Sequence, residues 1–242
     1  MIGLVGFGRF GALTARYLAQ DATVHVFSRS QTAERIAAVG AVASSLEQVC
    51  QQRFLILSVP ISAMPDTLKR IGPMLPPQTV VIDVCSVKIH PLKWMRDFLP
   101  PHVFILGTHP MFGPDSAADS LEGRKLVLCR ERMPKGLYRR VHHYLRTKQL
   151  EVIETTPEDH DRQIAVSLSL THFIGRSLSA FGAGALKIDT EGYRRLMYTL
   201  GVVEHDTWQL FEDMDRFNPF ARQTRAAFME AMQKIDQQLD HD

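Results

Sequence analysis

The chain has 242 residues, and 28 lysines and arginines against 26 aspartates and glutamates leave a formal net charge of +2. A charge this close to balance predicts no binding to nucleic acid or to an acidic membrane surface. The three cysteines (Cys50, Cys85 and Cys129) have neither metal-site nor CxxC spacing, so we expect no metal site and no disulfide framework. The apolar amino terminus has no basic segment or cleavage site, and we therefore expect a cytoplasmic protein.

Residues 1–155 alternate short apolar runs with helix-forming segments, which is typical of a doubly wound α/β sheet. The predicted strands are Ile2–Val5, Thr23–Phe27, Phe54–Val59, Val80–Val84, Val103–Leu106 and Leu126–Leu128. The predicted crossover helices are Phe10–Ala19, Ala33–Val39, Ala63–Ile71 and Pro91–Phe98. Because most of these strands are continuously apolar, we expect a Rossmann-like parallel sheet that is covered on both faces.

Residues 156–242 are predicted to form an all-α second domain. Thr156 and Pro157 make a helix start, and the predicted helices are Gln163–Phe181, Glu191–Asp213 and Pro219–Leu239. The first of these helices is apolar on almost every side, so it must be covered on several faces. We expect a second copy of the chain to cover it, as a homodimer. His172 and Arg176 interrupt its apolar stretch, so we expect no membrane span.

The motif Gly6-Phe7-Gly8-Arg9-Phe10-Gly11 follows the first strand and opens the first helix. Its glycines permit a tight turn, close approach of a pyrophosphate and close packing of helix on strand, which predicts dinucleotide binding. The second strand continues into Ser28-Arg29-Ser30, where an NAD site would carry a carboxylate. Ser28 carries no charge that would repel a 2′-phosphate, and Arg29 offers a fork to bind one. We therefore expect NADP as the cofactor.

Two segments with reactive side chains follow predicted strands. They are Asp83-Val84-Cys85-Ser86-Val87-Lys88 and Gly107-Thr108-His109-Pro110-Met111-Phe112-Gly113-Pro114-Asp115. Open α/β sheets bind ligands at the carboxyl ends of their strands, which is where both segments are expected. A histidine in the second segment, stiffened by the following proline, can be held over a cofactor.

These motifs resemble the prephenate/arogenate dehydrogenases of tyrosine biosynthesis, most closely the plant-type NADP-dependent arogenate dehydrogenases. The resemblance also covers Glu158-Asp159-His160-Asp161-Arg162 with Thr171-His172, and more weakly Ile188-Asp189-Thr190-Glu191-Gly192-Tyr193. It implies oxidative decarboxylation of a cyclohexadienol substrate, with hydride transfer to the nicotinamide. No added mutase or regulatory domain is evident in the sequence.

The resemblance also implies roles for individual residues. His109 matches the catalytic histidine that accepts the hydroxyl proton, and Ser86 matches a serine that hydrogen-bonds the hydroxyl and the histidine. His172 matches a histidine that lines the substrate pocket, although from its helix alone we would expect a hydrogen-bonded core residue. Lys88 belongs to a family motif, so it is a candidate for substrate binding or for a purely structural role.

Asp115 is the position that bears on substrate choice. Arogenate carries an ammonium group where prephenate carries a ketone, and a carboxylate at this position would favour the ammonium. We therefore expect arogenate as the substrate. If Asp115 is only a helix cap or a surface charge, the substrate is prephenate and the product 4-hydroxyphenylpyruvate.

The sequence departs from the family pattern at one point. Many bacterial relatives have a Phe-Arg-Asp-x-Thr-Arg run whose second arginine holds a substrate carboxylate, and here Tyr198 stands in that place. Arg194 or Arg195 could substitute for it. The departure keeps open a non-catalytic NADP-binding regulatory protein. A second enzyme reading is an imine or 3-hydroxyacid dehydrogenase, which would use a lysine or tyrosine of the helical domain such as Lys187, and the His109 segment counts against it.

Overall fold

The computed structural model describes residues 1–240. Contacts divide the chain after Pro157 into two compact units, unit 1 over residues 1–157 and unit 2 from Glu158 onward. The sequence placed the domain boundary at residues 155 and 156. Each unit is described by itself below.

Unit 1 contains one sheet of eight strands. The strands are β1 (Ile2–Val5), β2 (Val24–Phe27), β3 (Val42–Ala43), β4 (Phe54–Leu57), β5 (Val80–Asp83), β6 (Phe104–Pro110), β7 (Lys125–Arg132) and β8 (Glu151–Glu154). Their order across the sheet is β3-β2-β1-β4-β5-β6-β7-β8. All neighbours pair in parallel except β6 and β7, which are antiparallel. The predicted Rossmann-like parallel sheet is confirmed, with β7 and β8 running against the rest.

The helices of unit 1 connect these strands. They are α1 (Arg9–Leu18), α2 (Ala33–Ala37), α3 (Leu46–Cys50), α4 (Met64–Ile71), α5 (Ile89–Phe98) and α6 (Lys135–Thr147), with 3₁₀ turns at Ile61–Ala63 and Gly72–Met74. The chain order reverses between the neighbours β1 and β4, which leaves a crevice at their carboxyl ends. Parallel α/β sheets bind nucleotides at such a reversal, and the glycine motif follows β1 directly.

Four elements of unit 1 were missed by the sequence analysis. β3 has only two residues and both are exposed, so it gives no apolar run. β8 is a short edge strand with a glutamate at each end. The sequence signals for α3 and α6 are clearer. α3 begins with a capping box between Ser45 and Gln48, and α6 buries the apolar residues Leu137 and Tyr138.

Unit 2 consists of helices, turns and loops throughout residues 158–240. Its helices are α7 (Pro157–Ile164), a π-helical turn (Ala165–Leu170), α8 (Thr171–Phe181), α9 (Glu191–Glu204), α10 (Trp208–Arg216) and α11 (Ala221–Leu239). The expected helical C-terminal region is confirmed. The single helix predicted over Glu191–Asp213 is wrong, because the chain breaks before Thr207, whose side chain accepts the backbone N–H of Leu210 and starts α10.

The length argument against a membrane span is also wrong. The helical run Pro157–Phe181 has 25 residues and, by length and composition alone, could cross a membrane. Only 28% of its apolar window is buried within the chain. A core helix of a water-soluble protein passes the same test, so the run shows only that a long apolar helix has a large uncovered surface.

Candidate active site

The glycine motif forms the tight turn that the sequence predicts. Gly6 has a φ of +98°, in the left-handed region, and a Cβ there would collide with the Ser58 carbonyl of the loop after β4. A Cβ on Gly11 would collide with the Gly6 carbonyl. The start of α1 therefore packs against the turn as closely as the backbone allows. Only glycine fits at these two positions.

Gly8 differs from them because a Cβ there would meet nothing within 4 Å. It is the N-cap residue of α1, and no side chain caps the first turn of that helix. Uncapped amide groups and the positive end of the helix dipole suit a phosphate group. The close-packed turn and the open space over Gly8 thus fit a dinucleotide pyrophosphate.

The segment after β2 is a polar turn. The Ser28 hydroxyl accepts the backbone N–H groups of Ser30 at 3.4 Å and of Gln31 at 3.2 Å. It still has its own proton to donate. Arg29 and Ser30 are exposed. The three predicted 2′-phosphate residues lie together at the end of β2, and their role in binding a phosphate stays a prediction.

A buried ion pair joins the carboxyl ends of β5 and β6. Lys88 and Asp83 have fully buried side chains, and the Lys88 Nζ donates to Asp83 Oδ2. The same ammonium donates to the Thr108 carbonyl at 2.5 Å, while the Thr108 hydroxyl donates to the Asp83 carbonyl at 2.6 Å. The Cys85 N–H donates to Asp83 Oδ2 at 3.0 Å. Because its ammonium is buried and bonded here, Lys88 joins the two strand ends, and its predicted role in substrate binding stays a prediction.

His109 lies within β6, not in a loop after it. We expected the strand to end near Leu106, but it continues to Pro110 because β7 pairs with it there, with His109 opposite Val127. The last β5 pair is Asp83 with Gly107, so β6 extends past the end of β5. His109 is 5% exposed, and it follows Thr108, whose carbonyl Lys88 binds.

Ser86 lies three residues after the end of β5 and is partly buried. Since β5 and β6 are neighbours with parallel register, Ser86 and His109 follow the carboxyl ends of adjacent strands. The glycine turn follows β1, two strands away in the same sheet. The fold therefore brings the predicted serine, histidine and nucleotide motif to one edge of unit 1.

Asp115 has a partner that the sequence did not indicate. Its Oδ1 lies 2.7 Å from the Nη2 of Arg9, a residue of the glycine motif, and both side chains are about half exposed. The carboxylate expected to select an ammonium group is thus paired with a cation of the nucleotide turn.

The loop that carries Asp115 lies along α1. The rings of Phe112 and Phe10 are 6.3 Å apart, and the Tyr17 hydroxyl donates to the Ala117 carbonyl at 2.9 Å. Together with the ion pair, these contacts attach the loop after His109 to the helix that begins the nucleotide site.

His172 of unit 2 is buried in α8, and its surroundings differ from those of an ordinary core histidine. Its Nδ1 has no hydrogen-bond partner among the described residues, and its Nε2 lies 3.6 Å from Asp206 Oδ2. Burial lowers the pKa of His172; the Asp206 carboxylate opposes this shift and the Arg176 charge adds to it. The imidazole is therefore held neutral and incompletely bonded, as a ligand-binding group could be.

The proposed substitutes for the missing arginine lie on the surface of α9. Arg194 contacts Glu191 and Asp189, and Arg195 contacts Glu191. The side chains are 60% and 80% exposed, and Tyr198 is 76% exposed. Both arginines are thus solvated and already paired.

Comparison with known proteins identifies the family. Residues 19–153 match the family described as "Prephenate dehydrogenase, nucleotide-binding domain". The chain belongs to the prephenate dehydrogenase family. The family resemblance stated from the motifs is confirmed, and unit 1 is its nucleotide-binding domain. Residues 177–242 match a second description, "TYRAAT1-like, C-terminal domain".

The similar proteins include two from Arabidopsis thaliana. Arogenate dehydrogenase 2, chloroplastic, is 29% identical over 98% of this chain and 69% of its own length. Arogenate dehydrogenase 1, chloroplastic, is 29% identical over 98% of this chain but only 39% of its own length. The crystal structure of A. aeolicus prephenate dehydrogenase with hydroxyphenyl propionate and NAD⁺ has a TM-score of 0.71 at 19% identity, covering 99% of this chain and 88% of that one. This likeness confirms the fold.

Proposed function

We propose that the chain is an NADP-dependent arogenate dehydrogenase, which converts arogenate to tyrosine and CO₂. The observation that carries the proposal is the position of His109, a buried residue of β6 that follows Thr108, the residue whose carbonyl Lys88 binds, at the sheet edge that also carries the glycine turn. A buried imidazole at the nucleotide-binding edge of a member of this family suits a general base for an alcohol.

The glycine turn and the start of α1 would hold the dinucleotide, which would supply the hydride acceptor for the carbinol carbon. His109 accepts the proton of the substrate hydroxyl, and Ser86 hydrogen-bonds that hydroxyl. The bond between the ring and its carboxylate then breaks, CO₂ leaves, and the electron pair completes the aromatic ring as a phenolate. His109 returns the proton to the phenolate oxygen. The two electrons lost by the ring are those of the hydride, so atoms and charge balance.

The choice of NADP over NAD rests on Ser28, Arg29 and Ser30. Ser28 brings no carboxylate to the end of β2, its hydroxyl proton is available, and the exposed guanidinium of Arg29 is adjacent. Arg29→Ala should lower kcat/KM for NADP far more than for NAD. Arg35→Ala, which removes an exposed arginine from α2, is the matched control. An unchanged NADP/NAD ratio in Arg29→Ala would refute the assignment.

The choice of arogenate rests on Asp115, and the Arg9 contact gives prephenate a specific argument as the second candidate. In the pair with Arg9, the carboxylate is already partly neutralised. For arogenate, the ammonium must compete with Arg9 for Asp115. Asp115→Asn should lower kcat/KM for arogenate and spare or raise it for prephenate. The opposite order would establish prephenate as the substrate.

The decisive experiment is an initial-rate matrix of arogenate and prephenate against NADP and NAD. We expect the highest kcat/KM for arogenate with NADP. His109→Asn should lower kcat by about 10²-fold or more, the loss typical of a general base. His143→Asn, which changes an exposed histidine of α6, should leave the rate unchanged. No turnover in any of the four combinations would refute the enzyme and favour a non-catalytic regulatory protein.

We also propose a homodimer through unit 2. Three exposed apolar residues of α11 (Met232, Ile235 and Leu239) repeat at intervals of three and four, the spacing of a helix–helix seam. Phe181 of α8 is 85% exposed, although its helix is strongly apolar. Sedimentation should show a dimer that Ile235→Glu weakens, and a wild-type monomer would refute the proposal.

The three buried free cysteines support a reducing, cytoplasmic location.

A further inference from the structure

Three buried polar atoms on one helical segment of unit 2 lack hydrogen-bond partners among the described residues. They are Ser169 Oγ in the π-helical turn, His172 Nδ1 in α8, and Arg176 Nε one turn further along α8. Ser169 and His172 are 6% and 4% exposed. A buried polar atom without a partner costs free energy, so a cluster of three calls for an explanation.

The spacing brings these residues together. His172 and Arg176 are four residues apart within α8, so their side chains are neighbours on one face, and Ser169 precedes His172 by three residues. The Arg176 charge acts on His172, as expected for such proximity. The adjoining π-helical turn is a rare element that occurs frequently at functional sites.

The Arg176 guanidinium is held in place by contacts that use only some of its hydrogen-bond donors. One of its terminal nitrogens, Nη2, donates to the Asp206 carbonyl, and Cζ lies 5.6 Å from the centre of the Trp208 ring. The buried Nε–H has no acceptor within residues 1–240. The Nε and Nη2 groups form one edge of the planar fork, which binds a carboxylate with two parallel hydrogen bonds.

The Asp206 carboxylate is the anionic group known to face this cluster. It lies on the Nε2 side of the His172 ring, at 3.6 Å, so the Nδ1 edge of the imidazole is left for another partner. The serine hydroxyl and the neutral imidazole can each donate or accept a hydrogen bond, whereas the Arg176 Nε–H can only donate one. A ligand that satisfies all three must present an acceptor to the guanidinium.

We propose that Arg176, assisted by His172 and Ser169, is the site for the side-chain carboxylate of the substrate. This inference rests on the proposed function, and it supplies the anchor for which the sequence offered only Arg194 and Arg195. Those two arginines are solvated and paired with acidic neighbours, while Arg176 has a buried donor that finds no acceptor in the described part of the chain.

The side-chain carboxylate fits the site better than the ring carboxylate does. The ring carboxylate leaves as neutral CO₂, so a cation bound to it would stabilise the ground state more than the transition state and would slow the reaction. The side-chain carboxylate keeps its charge throughout. A fixed guanidinium can therefore hold it from binding to product release.

The test uses 3-(4-hydroxyphenyl)propionate, a stable molecule with this carboxylate, and its uncharged primary amide. Dissociation constants of both are measured by calorimetry on the full chain with oxidised cofactor present. Wild type should bind the acid more tightly than the amide. Arg176→Gln should weaken the acid by about 10- to 100-fold, the range for a lost charge-assisted hydrogen bond, and change the amide little. Arg222→Gln, which removes an equal charge from the exposed surface of α11, should change neither.

The comparison of acid with amide separates binding from a structural role. If Arg176 only holds the Asp206 carbonyl, Arg176→Gln will weaken both ligands equally, and the site is refuted. If Arg176→Gln does not fold, Arg176→Lys retains the charge without the fork and should lose part of the preference for the acid. Wild type that binds the two probes equally, or binds neither, also refutes the site.

The outcomes distinguish this inference from the proposed function. A preference for the acid that depends on Arg176, with no turnover of arogenate or prephenate, would refute the enzyme and leave the carboxylate site in place. Normal turnover of arogenate or prephenate, with Arg176→Gln weakening the acid and the amide equally, would support the enzyme and refute the carboxylate site.

Discussion

Replacing Lys88 by Met should destabilise unit 1 far more than an ordinary loss of charge. The substitution keeps an unbranched side chain of similar length but leaves the Asp83 carboxylate buried. In the wild type this carboxylate has the Lys88 ammonium and the Cys85 N–H on Oδ2, and Oδ1 has no partner within residues 1–240. After the substitution, only the Cys85 N–H remains of these two donors.

The expected loss is about 3–5 kcal/mol, the range for removing one member of a buried ion pair. Against the 5–15 kcal/mol typical of whole domains, this loss is roughly a fifth of the total at the least and the whole of it at the most. Lys93→Met is the control on the same helix, because the Lys93–Asp97 pair is 58% and 43% exposed. That pair should be worth no more than about 0.5 kcal/mol.

Urea unfolding followed by Trp94 fluorescence measures the difference. Trp94 is in α5 of unit 1, and Trp208→Phe removes the only other tryptophan, which lies in unit 2. The double variant Asp83→Asn/Lys88→Met removes both charges and should recover most of the loss. The reasoning is refuted if Lys88→Met costs no more than Lys93→Met, or if the double variant is no more stable than Lys88→Met alone.

Three further predictions concern the nucleotide turn, His172 and the Arg9–Asp115 pair. Gly6→Ala should lower the midpoint of thermal unfolding, because the backbone conformation of Gly6 and the nearby Ser58 carbonyl exclude a Cβ. Gly8→Ala should leave this midpoint unchanged but weaken cofactor binding in a fluorescence titration. Equal midpoints for the two variants would contradict the turn geometry. Because burial lowers the pKa of His172, the unfolded chain binds a proton at this residue more readily than the folded chain does, so the stability due to neutral His172 should be full above the ordinary value of 6.5 and fall below it. Between pH 7.5 and 5.5, the thermal midpoint should fall less in His172→Asn than in wild type. Equal falls would exclude this cause. Arg9→Gln should cost less than about 1 kcal/mol of stability, because the Arg9–Asp115 pair is half exposed. By releasing Asp115, it should lower KM for arogenate relative to prephenate in steady-state kinetics. An unchanged ratio of the two KM values would show that the pair does not limit substrate choice.

The sequence predicts the elements whose determinants are local. Six consecutive residues predict the glycine turn after β1, and apolar runs predict the buried parallel strands. Two missed boundaries were also local: the capping box of Ser45 with Gln48 marks α3, and Thr207 marks the break before α10. These could have been identified from spacing alone.

The rest of the site depends on contacts between distant segments. Nothing near Lys88 in the sequence shows that its ammonium is fully buried between two strand ends. Asp115 meets Arg9 across 106 residues. The extension of β6 through His109 depends on pairing with β7, whose direction an apolar run does not encode. Likewise, Arg176 interrupts an apolar helix in the sequence, and only the structure shows that its Nε–H is buried without an acceptor among the residues it describes.

The Arg9–Asp115 contact constrains any attempt to redesign this enzyme. A residue within the nucleotide turn supplies the counter-charge for the residue proposed to discriminate between amino-acid and keto-acid substrates. If Asp115 selects the substrate as proposed, a change of Arg9 in the turn alters both cofactor binding and substrate discrimination, and the reverse holds for changes at Asp115. Libraries that vary Arg9 and Asp115 together are the ones in which these two effects can be separated.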